Sequence, residues 1–133
     1  LCASPDYLAQ HGTPQTVAEL VGHRAILLPQ DPPRYWPVQG ESIACQRVLA
    51  CNNITFAREA ALAGAGIVGL PHMICREALQ DGRLLELLPQ ACLPTSEIYA
   101  LYPSRRFQAM KVKAFLDFLI SRLPVEVGPL LEP

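Results

Sequence analysis

No stretch of this sequence approaches the roughly 18 consecutive apolar residues of a membrane span. The N-terminus also lacks a basic segment followed by an apolar one, so the sequence shows neither a transmembrane helix nor an export signal. Charge is sparse as well: charged residues make up 17% of the chain, the formal net charge is −1, and the longest basic cluster is the pair Arg105-Arg106. Neutralising phosphates needs a concentrated Lys/Arg surface, so this chain by itself is a poor candidate for nucleic acid. The five cysteines, Cys2, Cys45, Cys51, Cys75 and Cys92, are odd in number, and none is followed by another at the short spacing that metal sites use. A disulfide framework and a zinc knuckle are therefore not expected, no metal site is assigned, and free thiols in a reducing, cytoplasmic setting fit better. No serine sits in G-x-S-x-G, no histidine pair forms H-E-x-x-H, and no cysteine has an adjacent histidine. No catalytic residue is assigned, and the chain is read as a protein that is not an enzyme. Its opening, Leu1-Cys2-Ala3, has no Met and runs at once into structured sequence, as expected of a fragment.

What is present suits a folded α/β domain: 133 residues, half of them apolar. Leu1–Ala3 reads as a strand end, and Ser4-Pro5-Asp6 supplies a capping hydroxyl, Pro at the first helical position and an acid at the positive end of the helix dipole. That helix is expected to stop near His11-Gly12. Thr16-Val17-Ala18-Glu19 has capping-box spacing and predicts a second helix ending at Gly22. Ala25–Leu28 reads as a buried strand. The stretch from Pro29 to Pro37 holds four prolines and predicts a surface loop whose Tyr35 and Trp36 fold back onto the core. A hairpin about Gly40 is expected next, its second strand continuing through Arg47 to Cys51. Asn52-Asn53 then breaks the strand and caps a helix on which Ile54, Ala57, Ala61 and Ala65 recur at helical spacing. Further along, Ile67–Leu70 predicts a strand, 72–79 a helix closed by Gly82, Arg83–Leu88 and Glu97–Tyr102 two strands, and Ala109–Leu123 a last helix. Val112, Phe115, Leu116, Leu119 and Leu123 share one face of that helix. Strands alternating with helices imply a largely parallel sheet flanked by helices.

Gly64-Ala65-Gly66-Ile67-Val68-Gly69 matches G-x-G-x-x-G, but in inverted context: a helix precedes the glycines and a strand follows, so no helix N-terminus is aimed at a phosphate and no dinucleotide cofactor is assigned. His11, His23 and His72 sit at segment ends and read first as turn or surface residues. His72 alone follows a buried strand at a helix start, where a side chain can also face a cleft. Asn52-Asn53-Ile54-Thr55 joins a strand end to a helix N-terminus, where free N–H groups and the dipole attract an anion. Its polar side chains serve equally as cap or as ligand contact, and the residues alone favour the cap.

The series Leu1–Leu8, His11–Pro14, Glu19-Leu20 with His23, Ala61–Pro71, Glu77–Leu79, Gly82–Leu84, Leu87–Pro89, Ile98–Arg106 and Phe115–Leu119, together with Trp36, resembles the effector-binding domain of LysR-type transcriptional regulators, in order and spacing, over nearly the whole chain up to Leu123. The resemblance implies a two-lobed fold of the type 2 periplasmic-binding-protein kind with an effector between the lobes, joined in the whole regulator to a winged helix-turn-helix. On that mapping, residues 1–97 are the second lobe, 98–123 the segment that returns to the first lobe, most of which is missing, and 124–133 a mobile tail. It also raises Asn52, Asn53, Ile54 and Thr55 from helix cap to effector contact, places Ser4 in the same cleft and keeps His72 as a candidate contact. The implied partners are a small effector, with carboxylates among the candidates, and further copies of the chain. DNA is contacted only through a domain absent here, and no membrane is involved. An exported solute-binding protein of the same two-lobed fold is the alternative.

Overall fold

The computed structural model describes residues 1–29, 31, 35–38, 41–91 and 110–127, the side chains of the last segment as far as Arg122. The chain divides into two compact units, Leu1–Thr95 and Ser96–Pro133. In the first, a five-stranded sheet has the order β5-β2-β6-β1-β7, with β1 at Cys2–Ala3, β2 at Arg24–Leu27, β5 at Gln46–Ala50, β6 at Ile67–Val68 and β7 at Leu85–Glu86. β2 lies parallel to both β5 and β6, while β1 is antiparallel to β6 and to β7. Four of the five strands therefore point the same way and only β1 is reversed, which gives the largely parallel sheet that the sequence predicts. β3 (Tyr35–Val38) and β4 (Glu41–Ala44) form a separate antiparallel hairpin.

The short strands at the centre are apolar on both sides because both faces are covered. Ala3, Ala25, Leu27 and Ile67 face a core completed by Tyr7 and Leu8 of α1 (Pro5–His11), Leu20 of a 3-10 helix (Val17–Gly22), and Trp36 and Val38 of the hairpin. Cys2, Ile26, Leu28 and Val68 face the opposite core, made with Ala57 and Ala61 of α2 (Ile54–Leu62) and Cys75 and Ala78 of α3 (His72–Gln80). The small side chains of α2 let its axis lie close to the sheet. α4 (Met110–Val127) belongs to the second unit. No helix among the described residues is long and apolar enough to cross a membrane.

Several local expectations change. The segment after Thr16 is a 3-10 helix, with i to i+3 backbone bonds from Glu19 N–H to the Thr16 carbonyl and from His23 N–H to the Leu20 carbonyl; the Thr16 hydroxyl donates to Glu19 Oε1 at 3.0 Å and Glu19 Oε2 accepts from the Gln15 N–H at 2.9 Å. The hydroxyl is thus spent on the carboxylate, and no side chain caps the helix start. Tyr35 and Trp36 lie in β3 and not in a loop: Trp36 pairs with Ile43 and is buried. β4 does not run on into β5, which leaves the hairpin at Cys45 and joins the main sheet beside β2. α4 continues past Leu123 through Pro124 to Val127, so the tail expected from 124 begins as helix. The strand expected at Glu97–Tyr102 lies outside the described residues.

The glycine motif is structural. Gly64 leaves α2 at φ +78°, where L side chains are strained, and a Cβ on Gly66 would sit 2.6 Å from the Arg24 carbonyl oxygen. Gly66→Ala should therefore lower stability by about 1–3 kcal/mol through overpacking against backbone. Gly22→Ala, where a Cβ meets nothing within 4 Å, should be neutral or slightly stabilising. Urea midpoints of the two variants check this contrast; equal midpoints would contradict it.

Candidate functional site

Because β2, β5 and β6 are parallel, their C-terminal ends open at one edge of the sheet, the position where α/β sheets gather ligand contacts. There the Cys51 N–H still bonds the Leu27 carbonyl at 3.1 Å, and the chain then turns into α2. Asn53 is the N-cap: its backbone is extended and its Oδ1 accepts from the Phe56 N–H at 3.0 Å, while its carbonyl accepts from the Ala57 N–H at 3.0 Å. The Cys51 thiol also donates to that carbonyl, at 3.6 Å. Between these bonds the N–H groups of Ile54 and Thr55 have no partner among the described residues, and they sit at the positive end of the helix dipole. Asn52 and Thr55 are exposed and Ile54 is half-buried against the α2–α3 core.

His72 opens α3 at the same edge, after β6. It is exposed, and its N-cap is Pro71, which offers no capping side chain. It also borders a cavity of about 320 Å³ between α3 and β7, lined by Arg76, Leu79 and Glu86 among others. Arg58 ties the two helix starts together, donating from Nη1 to the Ile74 carbonyl at 3.4 Å while pairing with Glu59 at 2.7 Å. Phe56 and Met73, in the first turns of α2 and α3, are 54% and 50% exposed. Sequence reading missed these three residues. For Phe56 the signal was its position off the buried stripe of Ile54, Ala57 and Ala61.

The structure does not bring Ser4 to this edge. Ser4 follows the reversed strand β1, so it lies at the opposite edge, where its Oγ accepts from the Tyr7 N–H at 3.3 Å and stands 3.7 Å from the Cβ position of Gly64. Gly64 is at the far end of α2, a nine-residue helix with a rise of roughly 14 Å. Ser4 is 2% exposed and caps α1; it is not a contact of the Asn52–Thr55 turn.

The arrangement suits holding an anion with an apolar body, with backbone donors on two helix starts beside exposed Phe56 and Met73. No group of three or more potential metal ligands occurs among the described residues. Burial pushes the Cys2 thiol up to about 12 and raises Cys75 and Cys45 as well, so these thiols are protonated and poorly nucleophilic at neutral pH.

The profile of the LysR substrate binding domain matches residues 1–124. CrgA of Neisseria meningitidis, an HTH-type transcriptional regulator, is 32% identical over 91% of this chain and 42% of its own length. PtxR of Pseudomonas aeruginosa, another HTH-type transcriptional regulator, is 32% identical over 91% of this chain and 40% of its own. The regulatory domain of CrgA superimposes with a TM-score of 0.73 at 32% identity, over 92% of this chain and 62% of that domain. Full-length AphB, the Vibrio cholerae virulence activator, does so with a TM-score of 0.76 at 31% identity, over 90% of this chain and 43% of AphB. The chain thus spans about two fifths of the curated relatives it matches, and the fold is that of a type 2 periplasmic-binding-protein-like regulatory domain. With the profile covering almost its whole length, the chain belongs to the LysR substrate-binding-domain family.

Proposed function

We propose that this chain is the effector-sensing part of a LysR-type transcriptional regulator, in which a small molecule bound at the C-terminal edge of the sheet changes how copies of the regulator present their DNA-binding domains. The observation that carries the reading is the pairing of two helix N-termini with exposed apolar side chains at one sheet edge, in a chain of this family. Residues 1–97 serve as the second lobe and 98–123 as the return to the first. Asn52, Asn53, Ile54, Thr55 and His72 make the contacts, and Ser4 is left out for the reason given above. A carboxylate is the favoured effector class, since the Ile54 and Thr55 N–H groups are donors at a positive helix end. No residue does chemistry: the ligand acts through its different affinity for two arrangements of the regulator. The regulator works in the cytoplasm and touches DNA through a domain outside this chain. An exported solute-binding protein would share the fold, but the relatives named above are regulators.

In a full-length regulator carrying this chain, Thr55→Leu should weaken the carboxylate found by thermal-shift screening about tenfold, or ~1.4 kcal/mol. Asn53 still caps the helix in that variant, so its melting temperature should stay near that of the parent. Calorimetry giving unchanged affinity would move the site elsewhere. Self-association is proposed through α4, where Val112, Leu116 and Leu119 are half-buried while Phe115 and Ile120 beside them are 58% and 56% exposed. Sedimentation equilibrium should show a dimer or larger species that dissociates in a Phe115→Glu, Ile120→Glu variant; a monomeric parent would refute the proposal.

A further inference from the structure

Tyr7 fastens α1 to the start of β2 with its hydroxyl. The Tyr7 oxygen accepts the Arg24 N–H at 2.9 Å and lies 3.0 Å from His23 Nδ1, both groups being buried. A backbone N–H can only donate, so the single phenolic proton is directed at His23 Nδ1. That nitrogen must then be unprotonated, with the ring proton on Nε2. The phenol remains a donor because burial raises Tyr7 above its usual range. Protonated histidine carries N–H on both nitrogens. The Tyr7 oxygen would then face two donors, Arg24 N–H and His23 Nδ1–H, and its own proton would be left in a side chain only 1% exposed.

We propose that the Tyr7–His23 hydrogen bond is a proton-sensitive latch, and that protonation of His23 releases α1 from the start of β2. The groups around it fit this role. His11, the last residue of α1, stacks on the Tyr7 ring at 4.4 Å with its Nδ1 donating to the Tyr7 carbonyl at 3.1 Å. The charged groups that act on His23 are His11, which opposes its protonation, and Glu19 of the 3-10 helix, which favours it; Arg24 of β2 acts on Tyr7. Burial first, then His11, hold His23 below the ordinary histidine value. The unlatched state therefore binds the proton more tightly. The stabilisation is present in full above about 6.5 and is lost as the pH falls through the folded-state value.

The test is amide hydrogen exchange and imidazole ¹⁵N NMR on the 133-residue chain. Opening at the Leu8 and Gly12 amides, which bond Ser4 and Leu8 carbonyls, should grow as the pH falls below about 6.5, by up to tenfold per pH unit. The Ala57 and Asp81 amides at the ends of α2 and α3 should not follow. His23→Asn keeps an acceptor near the Nδ1 position but does not titrate, and should abolish that slope. His11→Gln should keep it. An equal slope in the His23→Asn chain would overturn the proposal. If that variant does not fold, the parent decides: an unprotonated Nδ1 at neutral pH supports the latch, and a protonated one overturns it.

Discussion

Gly66 passes the Arg24 carbonyl so closely that no Cβ fits between them, and the placement of α2 depends on that approach. It brings the turn after α2 against the start of β2 and delivers β6 in parallel register beside it, Ala25 opposite Ile67 and Ile26 opposite Val68. With that end of the helix held at the N-terminal edge of the parallel strands, and Ala57 and Ala61 buried against the sheet, the other end must emerge at the C-terminal edge. Ile54 and Thr55, whose N–H groups have no partner among the described residues, lie there as a consequence of packing at Gly64 and Gly66, a helix length away.

The reversal of β1 divides the two edges between different tasks. Ser4 and α1 follow β1 to the edge where Gly64 lies, and there the buried polar groups Ser4, Tyr7 and His23 bond one another or nearby backbone. Burying such groups costs free energy unless each is paired, so this edge is structural. At the opposite edge Asn52, Thr55 and His72 remain exposed, with Phe56 and Met73 beside them. Polar groups that fold stability does not occupy are available to a ligand.

Much of the fold was legible because caps, periodicity and turn residues agreed. Ser4-Pro5 and Asn53 start the helices that their chemistry predicts, and the glycine motif lies between a helix and a strand in the order expected of it. The failures came where a side chain had two possible partners or where strand direction mattered. Thr16 looks like a cap, but its hydroxyl goes to Glu19. Trp36 sits among prolines that suggest a loop, yet burial against the core carries it into a strand. The resemblance puts Ser4 with the Asn52 turn because family position says nothing about which way β1 runs; its antiparallel pairing with β6 and β7 reveals it. The Arg58 bridge to Ile74 is a tertiary contact without a local signal.

The central claim is that ligands meet this chain at the edge where α2 and α3 begin. Backbone amide shifts of the ¹⁵N-labelled chain, followed as acetate and then benzoate are added at constant pH and ionic strength, test it most directly. The account predicts saturable shifts that cluster at Ile54, Thr55, His72 and Met73, larger for the aromatic acid because Phe56 and Met73 are exposed there. Saturable shifts centred instead on Ser4, Tyr7 and Gly64, or no saturable shift at the α2 and α3 starts, would contradict it.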